Sequence, residues 1–175
     1  MYAVDYVYCF GMRVPKTGVV ERWSKGQQRW KPAKSSPRGD GYAMVGIKDL
    51  GMVKRNRLVA WCWLGLKSLK GIKAGVDLID HINHDKLDDR VENLRIVTGS
   101  GNQHNRIGKG WAWNHVVKKY QAKIKANGKQ IHIGYFDTKK ETTHHYLLAK
   151  LKSHPTCPVD FINNAIELNK LRIQG

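Results

Sequence analysis

Residues 80–105 read DHINHDKLDDRVENLRIVTGSGNQHN, and the order of residue types within them sets the local architecture. Val76-Asp77-Leu78-Ile79-Asp80-His81 is a short run rich in β-branched and apolar residues, which predicts a strand ending at the Asp-His pair. A polar loop follows to about Glu92, and Leu94-Arg95-Ile96-Val97 predicts a second strand. Thr98 is placed to cap a helix beginning near Gly99, although Gly99 and Gly101 weaken its first turn by propensity. The expected unit is strand, loop, strand, helix: a ββα arrangement.

Outward from this stretch, composition narrows the function classes. The 175 residues carry 31 Lys and Arg against 14 Asp and Glu, a formal charge of +17, and 41% of them are hydrophobic. Such a chain folds as one domain or two small ones rather than staying disordered. Its excess positive charge repels itself and fits a polyanionic partner, with nucleic acid first and an anionic membrane surface second. No run of about 18 apolar residues is present, so no membrane span is expected. The opening MYAVDYVYCFGM holds an acid, Asp5, and no basic stretch, so a secretory signal is not expected. Cys9, Cys62 and Cys157 stand far apart without a Cys-x-x-Cys pair, which argues against a disulfide frame and a zinc knuckle and suits an intracellular compartment.

Hydrolysis of a phosphodiester needs a nucleophilic water, a base for its proton, and a cation for the charge on the phosphate. Residues 80–105 supply candidates for each. Asp80 and Asn102 offer the oxygen donors that a hard divalent ion such as Mg²⁺ takes while keeping several waters. His81 suits general-base work near neutral pH. Asn93 stands where the loop returns to the second strand, placed to tie the loop together and orient His81. Because successive strand residues point to opposite faces, Asp80 and His81 need a kink or a sheet edge to serve one reaction. His84 reads as a solvated loop residue rather than a third ligand, His104 as lying on another helix face, and Asn105 as a buttress of the helix. Arg95 is either a phosphate contact or a partner in an ion pair.

This stretch resembles the HNH, or ββα-metal, nucleases. The matching features are Asp80-His81, Asp89-Arg90, Asn93-Leu94-Arg95, Val97-Thr98 and the Asn102-x-x-Asn105-Arg106 ending, with Arg57-Leu58-Val59-Ala60 as a lead-in helix. The resemblance implies His81 as general base, Asp80 and Asn102 as ligands of one divalent cation (Mg²⁺, with Mn²⁺ the alternative), and Asn93 as the motif's structural second residue. Asn56 stands where a His is common. Asp88-Asp89-Arg90 replaces the Asp-Asn-Arg of many relatives, a departure expected to touch the loop and neither the metal nor the base.

Before and after the motif the pattern changes. Short strands separated by turns are expected over the first fifty residues, around Val19-Val20 and 41–47, with a basic loop at 31–39. Leu58, Val59, Trp61, Cys62 and Leu66 suggest an amphipathic helix from Arg55 to Leu66, closed near Gly65. Beyond Gly108-Lys109-Gly110, Tyr120, Ala122, Ile124 and Ala126 alternate with Lys119, Gln121, Lys123 and Lys125, which is strand periodicity. Asn127-Gly128 signals a hairpin, and Ile131, Ile133 and Tyr135 are expected to continue the apolar face. Thr138 and Glu141 form a capping box for a helix to about Lys152, with Tyr146, Ala149 and nearby leucines buried. A last helix is expected from Asp160 to Leu171, with Phe161, Ile162, Ile166 and Leu168 apolar.

One face of the C-terminal sheet is expected to present Lys119, Gln121, Lys123 and Lys125 beside Gln130 and His132, a set able to read bases and hold phosphates from a major groove. Trp111 and Trp113 are expected to pack into this domain. The segment from about Gly110 to His154 is similar to the AP2 DNA-binding domain, a three-stranded sheet on a helix. Together the two resemblances imply a homing-type endonuclease acting on double-stranded DNA inside a bacterial, phage-infected or organellar compartment. The expected class is α+β, divided into a β-rich accessory segment (1–54), a nuclease core (55–108), an AP2-like domain (109–154) and a helical tail (155–175). One site per chain predicts a monomer that nicks, with a double-strand cut requiring dimerisation or sequential action, and no obligatory protein partner is evident. The alternatives are a DNA-binding regulator without hydrolysis and a less specific HNH nuclease.

Overall fold

The computed structural model describes residues 5–70, 77–106 and 108–171. The chain divides into two compact units, Met1–Asn102 and Gln103–Gly175, each with a hydrophobic cluster of its own. Small antiparallel sheets and a few helices make up both, a mixed α and β composition.

The first unit opens with seven short strands: β1 (Tyr6–Cys9), β2 (Met12–Pro15), β3 (Glu21–Ser24), β4 (Arg29–Pro32), β5 (Ser36–Pro37), β6 (Ala43–Ile47) and β7 (Gly51–Lys54). The first four form one sheet in sequential order, and β5-β6-β7 form a second. Helix α1 (Arg55–Trp63) follows directly, and its Leu58 and Val59 meet Met12 and Val14 of β2, Val45 and Ile47 of β6, Val53 of β7 and the later Leu94 in one cluster. The strands before residue 54 therefore share their core with the motif that follows.

Helix α1 departs from its expected stripe. Asn56 through Ala60 are all buried, whereas Trp61 is 38% exposed and the helix stops at Trp63. Strands on several sides of the first turns enclose five successive positions, a wider buried arc than an amphipathic stripe provides. Trp63 extends this packing by donating its indole N–H to the Val14 carbonyl at 2.9 Å. Strand β8 (Leu78–His81) then pairs antiparallel with β9 (Leu94–Val97). Val76, the expected first residue of that strand, lies outside the described residues. Helix α2 (Gly99–Asn105) begins where expected, and the Thr98 hydroxyl accepts the Gly101 N–H at 3.2 Å as its cap.

In the second unit β10 (Ala112–Asn114), β11 (Lys119–Ala126) and β12 (Lys129–Phe136) form a three-stranded antiparallel sheet. Asn127 (φ 51°) and Gly128 (φ 76°) both take the left-handed conformation that a two-residue type I′ turn requires, which is why Asn-Gly appears there. Helix α3 (Lys139–Ser153) is capped by the Thr138 hydroxyl, which accepts the Glu141 N–H at 3.1 Å. Its buried positions are Thr142, Leu147 and Lys150, with Tyr146 and Ala149 only half-buried. Leu147 joins Cys157, Ile162 and Ile166 of the segment leading into and along α4 (Val159–Leu171). The expected apolar roles of Phe161 and Leu168 fall on side chains outside those described.

One expectation for this sheet is corrected. Ala122 pairs with Gly134 but Lys123 pairs with His132, so Ile133 is an extra residue in the ladder. This β-bulge reverses the alternation. Ile131 lies opposite Ile124, whereas Tyr135 lies opposite Gln121, so the three apolar residues of β12 do not share one face. Among the described residues no helix is long and apolar enough to cross a membrane.

Candidate active site

Strands β8 and β9 place the Asp-His pair at the end of a two-stranded ladder, with Asp80 opposite Arg95 and His81 opposite Leu94. Both side chains are nearly withdrawn from water, at 6% and 4% exposure. A charge so placed needs a partner. Arg95 provides one for Asp80, its Nε donating to a carboxylate oxygen at 2.8 Å while an Nη forms an ion pair with the same oxygen at 2.8 Å. His81, pointing to the other face by strand alternation, finds a different partner: its Nε2 lies 2.8 Å from Oδ1 of Asp89.

The loop between the strands is tied by Asn93, itself buried. Its Oδ1 accepts the Asn83 N–H at 3.0 Å, its Nδ2 donates to the Asp88 carbonyl at 2.7 Å, and its own carbonyl accepts the Ile82 N–H at 2.9 Å. These three bonds join both ends of the loop immediately after His81. On the outer side Asp88 accepts Arg90 through both oxygens at 2.8 Å and Asn83 Nδ2 at 2.8 Å. The Arg90 guanidinium, aided by backbone and Asn83 donors, holds the Asp88 carboxyl down at about 2.

Several contacts at this site escaped the sequence. Asp89 is 2% exposed, and its Oδ2 accepts Arg55 Nε at 2.7 Å while Oδ1 meets His81. The departure at Asp88-Asp89-Arg90 thus reaches the histidine directly, a correction to the expectation that it touches the loop alone. Its signal was present as the second acid of Asp88-Asp89-Arg90, but nothing in the spacing ties residue 89 to residue 55. Tyr42 lies with its ring 5.8 Å from that of His81, and Lys54 sits 3.7 Å above the Tyr42 ring. Burial, then the acids Asp40, Asp80 and Asp89, push the Tyr42 phenol up, so it stays a proton donor. No local pattern announces a tyrosine 39 residues before its neighbour.

Asn102 lines a cavity of about 480 Å³ together with Tyr42, Lys54, Asn56, Leu78 and Ile79. Inside the first unit this brings the helix amide near the strand that ends in Asp80-His81. Asn56 is 3% exposed, and its Oδ1 is buried with no hydrogen-bond partner among the described residues. An orphaned acceptor beside a second amide is a setting that a cation or its bound water would satisfy. Among the described residues no three His, Cys, Asp or Glu side chains gather into a metal-holding group. Among the described residues lining this cavity there is no carboxylate, Asp80 lying outside the set, and Lys54, Arg57 and Lys70 border it, so an ion here would take amide oxygens and retain its waters.

The remaining expectations fall as follows. His84 is exposed in the loop at φ 67°. His104 contacts Thr156 at 2.7 Å and packs edge-on to His154 at 4.4 Å, within the second unit. Asn105 is buried. On the C-terminal sheet Lys123 lies opposite His132 and Lys125 opposite Gln130, all four exposed, so the structure gathers these residues on one face. Gln121 joins them, donating to the Tyr135 hydroxyl at 3.1 Å, and Lys119 is paired with Asp137 at 3.0 Å. Tyr135 is the addition that the bulge makes to this face. Trp111 and Trp113 both pack edge-on against Tyr120.

No curated protein and no solved structure matches the chain. Residues 75–104, which hold the Asp-His strand, the braced loop, β9 and most of α2, match the family model of the HNH endonucleases, and this match supports a nuclease acting on DNA.

Proposed function

We propose that the chain is a metal-dependent, site-directed DNA endonuclease of the homing type, with residues 80–102 as its hydrolytic centre. The observation that carries this reading is the buried Asp80-His81 pair at the mouth of a loop that Asn93 clamps, inside the segment matching the HNH endonucleases. His81 takes the proton of the attacking water. Asn93 keeps the loop folded so that the imidazole has one position. Asp80 and Asn102 are the residues to hold one divalent cation, Mg²⁺ or Mn²⁺. When bound, that ion supplies positive charge for the phosphate and the leaving oxygen. HNH nucleases generally use a divalent metal, and the amide oxygens of Asn56 and Asn102 are of the kind such an ion accepts.

Sequence recognition is assigned to the C-terminal sheet, read as an AP2-like domain over 109–154. Gln121, Gln130, His132 and Tyr135 offer hydrogen-bonding groups on its exposed face, and Lys123 and Lys125 offer charge to phosphates. The homing assignment rests on the resemblance of the two modules. Purified protein should cut mixed double-stranded DNA in the presence of Mg²⁺, and sequencing of the ends should return one recurring site. Ends scattered over all sequences would favour a less specific nuclease, and no Mg²⁺-dependent ends would overturn the proposal.

One observation favours a second reading. Arg95 already holds Asp80 through a hydrogen bond and an ion pair, so the acid has a cation without any metal. A DNA-binding regulator that does not hydrolyse its target would be built this way. It binds the recurring site as tightly with EDTA as with Mg²⁺ and leaves it intact.

A further inference from the structure

The loop carries an acid that neither metal binding nor the Asn93 clamp uses. Asp89 is enclosed on every side within the first unit. Arg55, the first residue of α1, donates Nε to its Oδ2 at 2.7 Å and an Nη to the Leu87 carbonyl at 2.8 Å, gripping the carboxylate and the backbone before it. The turn between β2 and β3 presses on the backbone behind it. A Cβ on Gly18 (φ +77°) would lie 2.4 Å from both the carbonyl carbon and oxygen of Asp89, so only glycine permits this approach. Lys16 accepts the Val91 N–H at 2.9 Å through its carbonyl, and Asn93 Nδ2 donates to the Asp88 carbonyl at 2.7 Å. Residues 88–91 are thus pinned by an N-terminal turn, a helix start and the loop's own amide, and they deliver the Asp89 carboxylate to His81.

We propose that Asp89 is the positioning residue of the His81 base: it holds the imidazole through Nε2–H and leaves Nδ1 as the nitrogen that accepts a proton. This rests on the reading of His81 as the general base. A carboxylate offers only acceptor oxygens, so Nε2 carries the hydrogen of the 2.8 Å contact and the neutral ring has its lone pair at Nδ1. The contact persists when Nδ1 takes a proton, because Nε2–H is unchanged. The ring therefore keeps its orientation through the transfer. Arg55 and the Gly18 turn act one step further out, by fixing Asp89.

The sharpest variant is Asp89→Asn, which keeps size and shape. With Arg55 donating on one side, the amide oxygen turns to the guanidinium and the NH₂ turns to His81, which then must accept at Nε2 and carry its proton at Nδ1. That is the wrong tautomer for the base, and a comparable acid-to-amide change beside a catalytic histidine costs about 10⁴-fold. Single-turnover cleavage of duplex DNA at saturating protein and Mg²⁺ should fall at least a hundredfold, while DNA affinity stays within about threefold. Nitrogen-15 NMR of the imidazole at pH 8, with His81 identified by its loss in His81→Ala, should show Nε2–H in the parent and Nδ1–H in Asp89→Asn. Asp89→Leu, which removes the polar contact and favours neither tautomer, serves as a second variant and should lose cleavage as well. Parent protein that cuts DNA alongside an Asp89→Asn variant cutting within threefold of it would overturn the positioning role alone. Nδ1–H in the parent would overturn it too, whatever the rates. Parent protein with the Nε2–H tautomer but no cleavage would overturn the nuclease reading and, with it, the role of the contact in a reaction.

Discussion

Replacing Asn93 with Ala removes the side chain that ties the catalytic loop while leaving the backbone that does the same. Two bonds vanish, Asn83 N–H to Oδ1 at 3.0 Å and Nδ2 to the Asp88 carbonyl at 2.7 Å, whereas the Ile82 N–H still meets the residue-93 carbonyl at 2.9 Å. Each lost bond costs about 1 kcal/mol net, and a partner left partly buried without a replacement raises that toward 1–3 kcal/mol. Both partners lie at the edge of the loop, so water compensates in part and the total comes to about 2–3 kcal/mol. Native-state hydrogen exchange reads this residue by residue. In Asn93→Ala the Asn83 amide should lose protection by roughly 30-fold or more, as about 2 kcal/mol implies, while the Ile82 amide loses less. Asn93→Asp keeps the acceptor for Asn83 but sets a carboxylate oxygen against the Asp88 carbonyl, so it should spare Asn83 and still loosen residues 88–90. Unchanged protection at Asn83 in Asn93→Ala, or equal losses at Ile82 and Asn83, would refute the clamp.

Other outcomes follow from the same geometry. The Asp88 carboxyl, held at about 2 by Arg90, contributes stability above its ordinary value near 3.8 and loses it as pH falls through 2. Acid titrations of Asp88→Asn and the parent should therefore converge between about pH 4 and pH 2, and a gap that stays constant there would contradict the pairing. Burial, reinforced by the adjacent Cys9, pushes the Cys62 thiol up to about 12. At pH 8 a disulfide reagent should label Cys62 only on unfolding, and rapid labelling of native protein would refute that environment. Replacing Lys123 and Lys125 together with Ala should weaken binding to all DNA sequences alike and lower the salt slope by about 2. A slope left unchanged would remove the C-terminal sheet from the DNA interface.

Local chemistry made much of this fold legible. Leu94–Val97 forms the strand expected of it because its β-branched and apolar residues lie between polar stretches. Asn127-Gly128 and the Thr138–Glu141 box did the same for the hairpin and α3, since turn and cap preferences act over four residues. What stayed hidden depends on distant partners or on register. Asp89 meets Arg55 34 residues away, and Tyr42 meets His81 from just before β6, which no spacing rule connects to it. The bulge at Ile133 moves Tyr135 to the polar face, although Ile131, Ile133 and Tyr135 alternate perfectly in the chain. The candidate base, its acid neighbour and the clamp were visible as residue types in order. The acid that holds the base became visible only when the loop was folded back on β8.

The proposed role of His81 as the base in a metal-dependent cut of DNA is read by a single comparison. His81→Ala and the parent protein are incubated with supercoiled plasmid carrying the recurring site, with Mg²⁺ and with EDTA, while binding to the same site is measured in parallel. The expected result is nicked or linear plasmid from the parent with Mg²⁺ only, none from His81→Ala, and equal affinity of the two proteins for the site. Cutting by His81→Ala at the parent's rate would contradict the assignment of the base.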